Sequence, residues 1–278
     1  MDVVRLGVLM MCCVACGGRS TPVRIGHASP PPTSTATSAD PSADTSTSAA
    51  GPAPSASIRL IHAALESRDA ALSIVADGRS SPTVTNTGYE FASAYGETSS
   101  GDHAVSAQAG GAELIGASMT FASGPSTIVA FSTADFPVAL ALAPDARSVG
   151  APEAAHVRVF HAVVGLGAID VCVAPASGRA DGAVLVSAIA AGSFGDGGGA
   201  YADAQGGAVL PLQLRARDSV PCHGRALGIA RFTPAAGSNY TLIAVGRVRG
   251  RRVPIELIFC ADPPATDTSC ATVALEAH

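Results

Sequence analysis

The chain has 278 residues, 47% of them hydrophobic and 14% charged, with a net charge of −5. That is enough apolar material for one or two domains, and the acidic balance argues against nucleic acid as a partner for the whole chain. Aromatics make up 4% and Trp is absent, so any core must be built from Val, Ile, Leu and Ala.

The first residues read as an address. Leu6 to Ala15 is an apolar run of ten, suited to a signal-peptide h-region and far short of the ~20 residues that span a bilayer. Cys13-Val14-Ala15-Cys16-Gly17 resembles a bacterial lipobox, in which Cys16 is lipidated and becomes the mature N-terminus. It departs from the usual pattern in having Cys13 where Leu is common. Cleavage after Ala15 as a plain secretory signal is the alternative. Gly17, in place of Asp, points by the same resemblance to the outer membrane. Residues 16–57 are rich in Ser, Thr, Pro, Ala and Gly, cannot offset their ordering entropy by burial, and are expected to form a disordered tether.

The rest of the chain uses one pattern twice. Ile58-Arg59-Leu60-Ile61-His62-Ala63 returns as Val157-Arg158-Val159-Phe160-His161-Ala162. Ala71 to Ala76 is matched by Ala168 to Val173, Glu113 to Ala117 by Arg225 to Ile229, and Ser126 to Ala130 by Tyr240 to Ala244. Each copy closes on a Pro-led strand, Pro137 to Leu142 or Pro254 to Phe259. Matches in one order read as a tandem duplication. Short runs rich in Val, Ile, Thr and Tyr, separated by Gly, Asp, Ser and Pro, read as strands, and no window has helical periodicity. The fold class expected is all-β: two immunoglobulin-like antiparallel β-sandwich units, 58–150 and 151–278, after the signal peptide 1–15 and tether 16–57.

The paired His62-Ala63 and His161-Ala162 openings, each followed by an Ala-Leu or Ala-Ile strand, resemble the bacterial "domain of unknown function 4397" family over about residues 58–262. The resemblance implies an exported β-sandwich protein, often tandem, and carries no established chemistry.

Alternation places His62 on the face of Ile58 and Leu60, and His161 on that of Val157 and Val159, so both are read as structural core histidines. Arg59 and Arg158 then face the other way and are expected to be solvated. Cys172, Cys222, Cys260 and Cys270 form an even set in an exported chain, which favours disulfides over metal because no C-x-x-C occurs. Three pairings are open, with Cys172–Cys222 and Cys260–Cys270 favoured.

Ala191-Gly192-Ser193-Phe194-Gly195 falls one residue short of a nucleophile elbow, and the glycines that follow cannot supply the helix it needs. Asp196 and Asp203 near the same loop are too few ligands for calcium. Arg247, Arg249, Arg251 and Arg252 crowd one hairpin tip and are the candidate anion contact. No cofactor, metal or catalytic residue is expected. The reading is a non-catalytic envelope protein anchored to a membrane by its lipid, structural or binding in role, with a glycan, lipid or protein partner left open. A secreted carbohydrate-binding adhesin is the first alternative, for which Tyr89, Phe91 and Tyr95 are the nearest to an aromatic cluster. A hydrolase is the second.

Overall fold

A computed structural model describes residues 55–79, 81–145, 151–175, 182–195, 198–250, 253–262 and 270–276. The signal peptide, Cys16 and the tether up to residue 54 lie outside the described residues, as do Asp196, Arg251 and Arg252.

The chain forms two sandwiches of the same topology. The first contains β1 (Ser55–Ala63), β2 (Leu72–Ala76), β3 (Val84–Thr87), β4 (Gly96–Ser99), β5 (Gly101–Ala109), β6 (Ala112–Phe121), β7 (Gly124–Phe131) and β8 (Ala139–Pro144). The second contains β9 (Ala154–Val164), β10 (Ile169–Val173), β11 (Ala183–Ile189), β12 (Ala202–Gln205), β13 (Leu210–Ala216), β14 (Ala226–Phe232), β15 (Asn239–Arg247), β16 (Val253–Ala261) and β17 (Cys270–Ala274). Sheet orders β4-β1-β7-β8 and β3-β2-β5-β6 recur as β12-β9-β15-β16-β17 and β11-β10-β13-β14. Strand β1 begins before the expected boundary, because Ser55 to Ser57 already pair with Ser99 to Glu97.

The sheets are not purely antiparallel. β1 runs parallel to β7, and β9 parallel to β15, while the other named pairs are antiparallel. Parallel partners need a long crossover, and here each connection passes through the opposite sheet before returning. Tight turns use the expected chemistry: Gly110 and Gly111, at φ of 56° and 85°, make the two-residue turn from β5 to β6. Positive φ at both central positions is what a type I′ hairpin requires.

Three apolar clusters follow from strand alternation. Ile58, Leu60, Leu72, Ile74 and Ile128 fill the first sandwich. Val157, Val159, Ile169, Val171 and Leu242 fill the second. The third joins Ile61, Val129 and Phe131 to Phe160, Ile243 and Ile258. Phe160 lies edge-on to Phe131 and Phe194, with centroids 5.0 and 4.8 Å away. Strands β1 and β9 are therefore buried on both faces, one inside their own sandwich and one against the other sandwich. Both sandwiches belong to a single compact unit, residues 50–278. Ladder pairing also corrects one match read from the sequence: Ile115 opposite Ala107 and Ile74 holds the place of Gly228 opposite Leu214 and Val171, so the two segments are offset by one residue.

Candidate functional site

Arg59 and Arg158 are buried completely, not solvated. They point into the contact between the sandwiches, and each reaches across it. The Arg59 Nε donates to Thr127 Oγ1 at 2.9 Å on its own sandwich, and its terminal nitrogens donate to the Ala261 carbonyl at 2.7 Å and to Asp262. Arg158 repeats the pattern in reverse. Its Nε donates to Thr241 Oγ1 at 2.8 Å, and its terminal nitrogens donate to the Pro144 carbonyl at 3.0 Å and to Asp145.

The carboxylates are satisfied from their own side. Thr127 and Tyr95 donate to Asp145 at 2.8 and 2.6 Å; Thr241 and Tyr201 donate to Asp262 at 2.9 and 2.6 Å. The Arg158 guanidinium also lies 5.0 Å from the Tyr201 ring and 5.2 Å from Phe194, and Arg59 lies 5.4 Å from Tyr95. Burial alone would lower the Arg158 pKa, but Asp262 and Asp145 outweigh it and raise it. Burial pushes the Tyr95 and Tyr201 hydroxyls well above their ordinary value. Charges removed from water at this cost hold only when every hydrogen bond is made, so the network fixes geometry more than it adds net stability.

The histidines occupy equivalent positions. His62 Nε2 faces the Ala70 carbonyl at 3.0 Å, and His161 Nε2 faces the Gly167 carbonyl at 2.8 Å. The Nδ1 atoms accept from the backbone N–H of Ala64 and Val163, each at 3.2 Å. That pattern requires neutral imidazoles protonated at Nε2. Burial lowers the pKa of both, against the smaller raising effect of those carbonyls. Each ring ties a strand to the loop that leaves it.

The cysteines form Cys172–Cys222 and Cys260–Cys270. Beside the first bridge lies Asp170, a buried carboxylate with no prior signal in the sequence. It accepts from the backbone N–H of Ala188 at 2.8 Å and of Cys222 at 3.0 Å, and from Arg217 at 2.9 Å. Burial alone would raise its pKa, and these donors together lower it.

Of the candidate anion contacts, Arg247 and Arg249 are described. Arg247 is half-buried and donates to Glu66 of the first sandwich, so one charge of the cluster is already paired. Arg249 is exposed, and its aliphatic stem packs on Gly165. Arg68 and Arg225, both exposed, were not singled out in sequence but join this end of the molecule. Arg68 lines a cleft of about 400 Å³ with Glu66, Asp69 and Arg247, and Arg225 lines an adjoining one with Arg247 and Pro254.

The remaining motifs are absorbed by the fold. Ser193 Oγ donates to the Ala190 carbonyl at 2.8 Å, and the backbone of Gly192 and Ser193 bonds to His161, so the near-elbow is a turn closing onto β9. Asp203 accepts from His156 Nδ1 at 2.8 Å. Among the described residues no group of three or more His, Cys, Asp or Glu could hold a metal. The aromatic cluster disperses: Tyr89 lies edge-on to His62 and Tyr95 is bound to Asp145. Phe91 alone is well exposed, at 61%, beside a cleft of about 460 Å³ lined by Thr83, Thr85 and Tyr95.

No curated protein matches the chain. Residues 56–172 match a family described as Domain of unknown function (DUF4397), a stretch that takes in the first sandwich from the second residue of β1 onward, with β9 and all but the last residue of β10. The match runs from the first Arg-bearing strand through the second.

Proposed function

We propose that the protein is a non-catalytic module of the bacterial cell envelope, anchored through a lipid on Cys16 and held off the membrane by the segment between Cys16 and β1. Its two sandwiches act as one rigid head that presents loops for binding. The observation that supports this reading is where the reactive side chains go. Arg59, Arg158, Asp145, Asp262, His62 and His161 are buried, and all are occupied in holding strands and sandwiches together. A catalytic site needs a nucleophile, a base and an orienting group facing a shared space, whereas these groups face one another. At one end of the head the exposed Arg68, Arg225 and Arg249, around an Arg247 already paired with Glu66, offer contact to an anionic envelope component.

The test is intact mass and membrane partitioning of the native protein beside a Cys16→Ser variant. An acyl mass on Cys16, with release of the variant into the soluble fraction, is the expected result. An unlipidated native chain starting at Cys16 overturns the anchor and leaves a secreted protein. Exposure of Phe91 beside its cleft favours carbohydrate binding as the second reading, since an open aromatic face is what a sugar ring stacks on. Glycan-array binding that disappears in Phe91→Ala would establish it.

A further inference from the structure

Sheet edges expose unpaired N–H and C=O groups, and proteins blunt them with short strands, proline, charge or a covering segment. Most edges here are treated that way. β3, β4 and β12 have four residues each, β17 has five, and β8 ends in Pro144. β11 pairs with β10 through two register shifts. β14 is covered by the chain itself: Ile229 and Glu276 exchange backbone hydrogen bonds at 3.1 and 2.9 Å. The covering is close, since a methyl group added at Gly228 would lie 2.6 Å from Leu275 Cβ.

The topologically equivalent edge of the first sandwich is β6, whose one irregularity is a register shift near its start that leaves Leu114 without a partner on β5. It is ten residues long, Ala112–Phe121, ends its sheet, and pairs only with β5. It contains no proline and no basic residue, and its one charge is Glu113 near its start. Leu114 on it is 40% exposed.

We propose that β6 is a self-association edge, pairing antiparallel with β6 of a second copy of this chain about a two-fold axis at Ala117. A two-fold axis normal to the sheet keeps both inner faces on one side, and it sets residues opposite each other whose numbers sum to 234. Ile115 then faces Met119 of the second copy, and both already pack against the core of their own sandwich. On the outer face Leu114 lies opposite Thr120, and at the centre Gly116 lies opposite Ser118, so small side chains meet. The two Glu113 carboxylates end up eight residues apart along the strand, about 27 Å at ~3.4 Å per residue, well beyond the ~8 Å screening length of physiological salt. Strand, charge and apolar pattern are thus self-complementary, as an isologous contact requires. Two four-stranded sheets become one continuous sheet, and the longest bare edge among the described residues disappears.

The test is sedimentation of the full-length chain carrying Cys16→Ser, so that no acyl chain contributes, across about a hundredfold range of concentration. A monomer–dimer equilibrium is expected. Leu114→Lys with Thr120→Lys sets like charges opposite each other twice per dimer and should weaken association about tenfold or more. Leu114→Glu with Thr120→Lys sets opposite charges there and should restore it. Both positions are exposed, so circular dichroism and melting should match the parent and exclude misfolding as the cause. A parent that stays monomeric over the whole range, or a dimer indifferent to the double-lysine change, overturns the proposal. Loss of the dimer without recovery in the Glu/Lys pair overturns the antiparallel register.

Discussion

The first sandwich has eight strands and no cysteine; the second has nine strands and two disulfides on the same topology. One unit relies on apolar burial and hydrogen-bonded core histidines, while the other adds covalent bridges, the Asp170 cluster and a covered edge. Where the two meet, the difference vanishes, because each contributes one Arg, one Thr, one Tyr and one Asp in matching geometry. The sheet topology thus tolerates quite different means of stabilisation, and the shared face does not.

The strongest way to break that match is to remove one cation. Arg158→Ala should cost about 3–5 kcal/mol, the usual penalty for leaving a buried partner charge unpaired. Arg59→Ala should cost less, because Asp262 keeps Arg158 at 3.7 Å, whereas Arg158→Ala takes from Asp145 the guanidinium it is paired with. Urea unfolding measures both, and equal losses or losses under about 1 kcal/mol would show that the brace carries little.

The next comparison is covalent. Replacing Cys172 and Cys222 with Ser opens a loop spanning 50 residues and should destabilise the second sandwich by about 4 kcal/mol on the chain-entropy estimate. Opening Cys260–Cys270, separated by 10 residues, should cost about 3 kcal/mol. Hydrogen exchange localises the effect: protection should fall in β10, β13 and β16 and hold in β2 and β5. Equal loss in both sandwiches would mean that they unfold as one.

A smaller effect comes from the histidines. Both are held neutral, with pKa values below their ordinary 6.5. Between the folded and unfolded values the unfolded chain binds the proton, so stability is full above about pH 6.5 and falls on acidification below it. Asp170, whose pKa is lowered from 3.8, contributes stability that is lost only at still lower pH. A melting temperature flat from pH 8 to 5 would contradict the buried-histidine account. The smallest effect is at the surface, where Arg247→Ala should cost no more than about 1 kcal/mol, and less in high salt.

Much of the framework is visible in the residues themselves. The repeated strands, the histidines on the Ile58-Leu60 face and the disulfide set all follow from alternation and cysteine arithmetic. Arg59 misled because its partner Asp262 lies 203 residues away, and alternation says nothing of what covers the second face of a strand. A hint was present: Ile61 and Ala63 share the face of Arg59, as Phe160 and Ala162 share that of Arg158, and a strand apolar on both faces is a strand covered twice. Asp145 and Asp262, each just beyond a closing strand, carry no signal as single residues and gain meaning only as a pair. The parallel pairing of β1 with β7 was hidden for a similar reason, since hydrophobic pattern fixes faces but not strand direction.

The crossed Arg–Asp contacts have the form of a dimer interface in which each partner offers the same patch. Here both partners are on one polypeptide, joined between Asp145 and Ala151, so their docking is intramolecular. Two separate chains would first have to surrender translational and rotational freedom, at an estimated 4–15 kcal/mol, and the connecting peptide removes most of that cost. The same connection makes the docking of the two sandwiches independent of dilution. Cutting the peptide there would return the pair to mass action, and its melting temperature would then rise and fall with concentration.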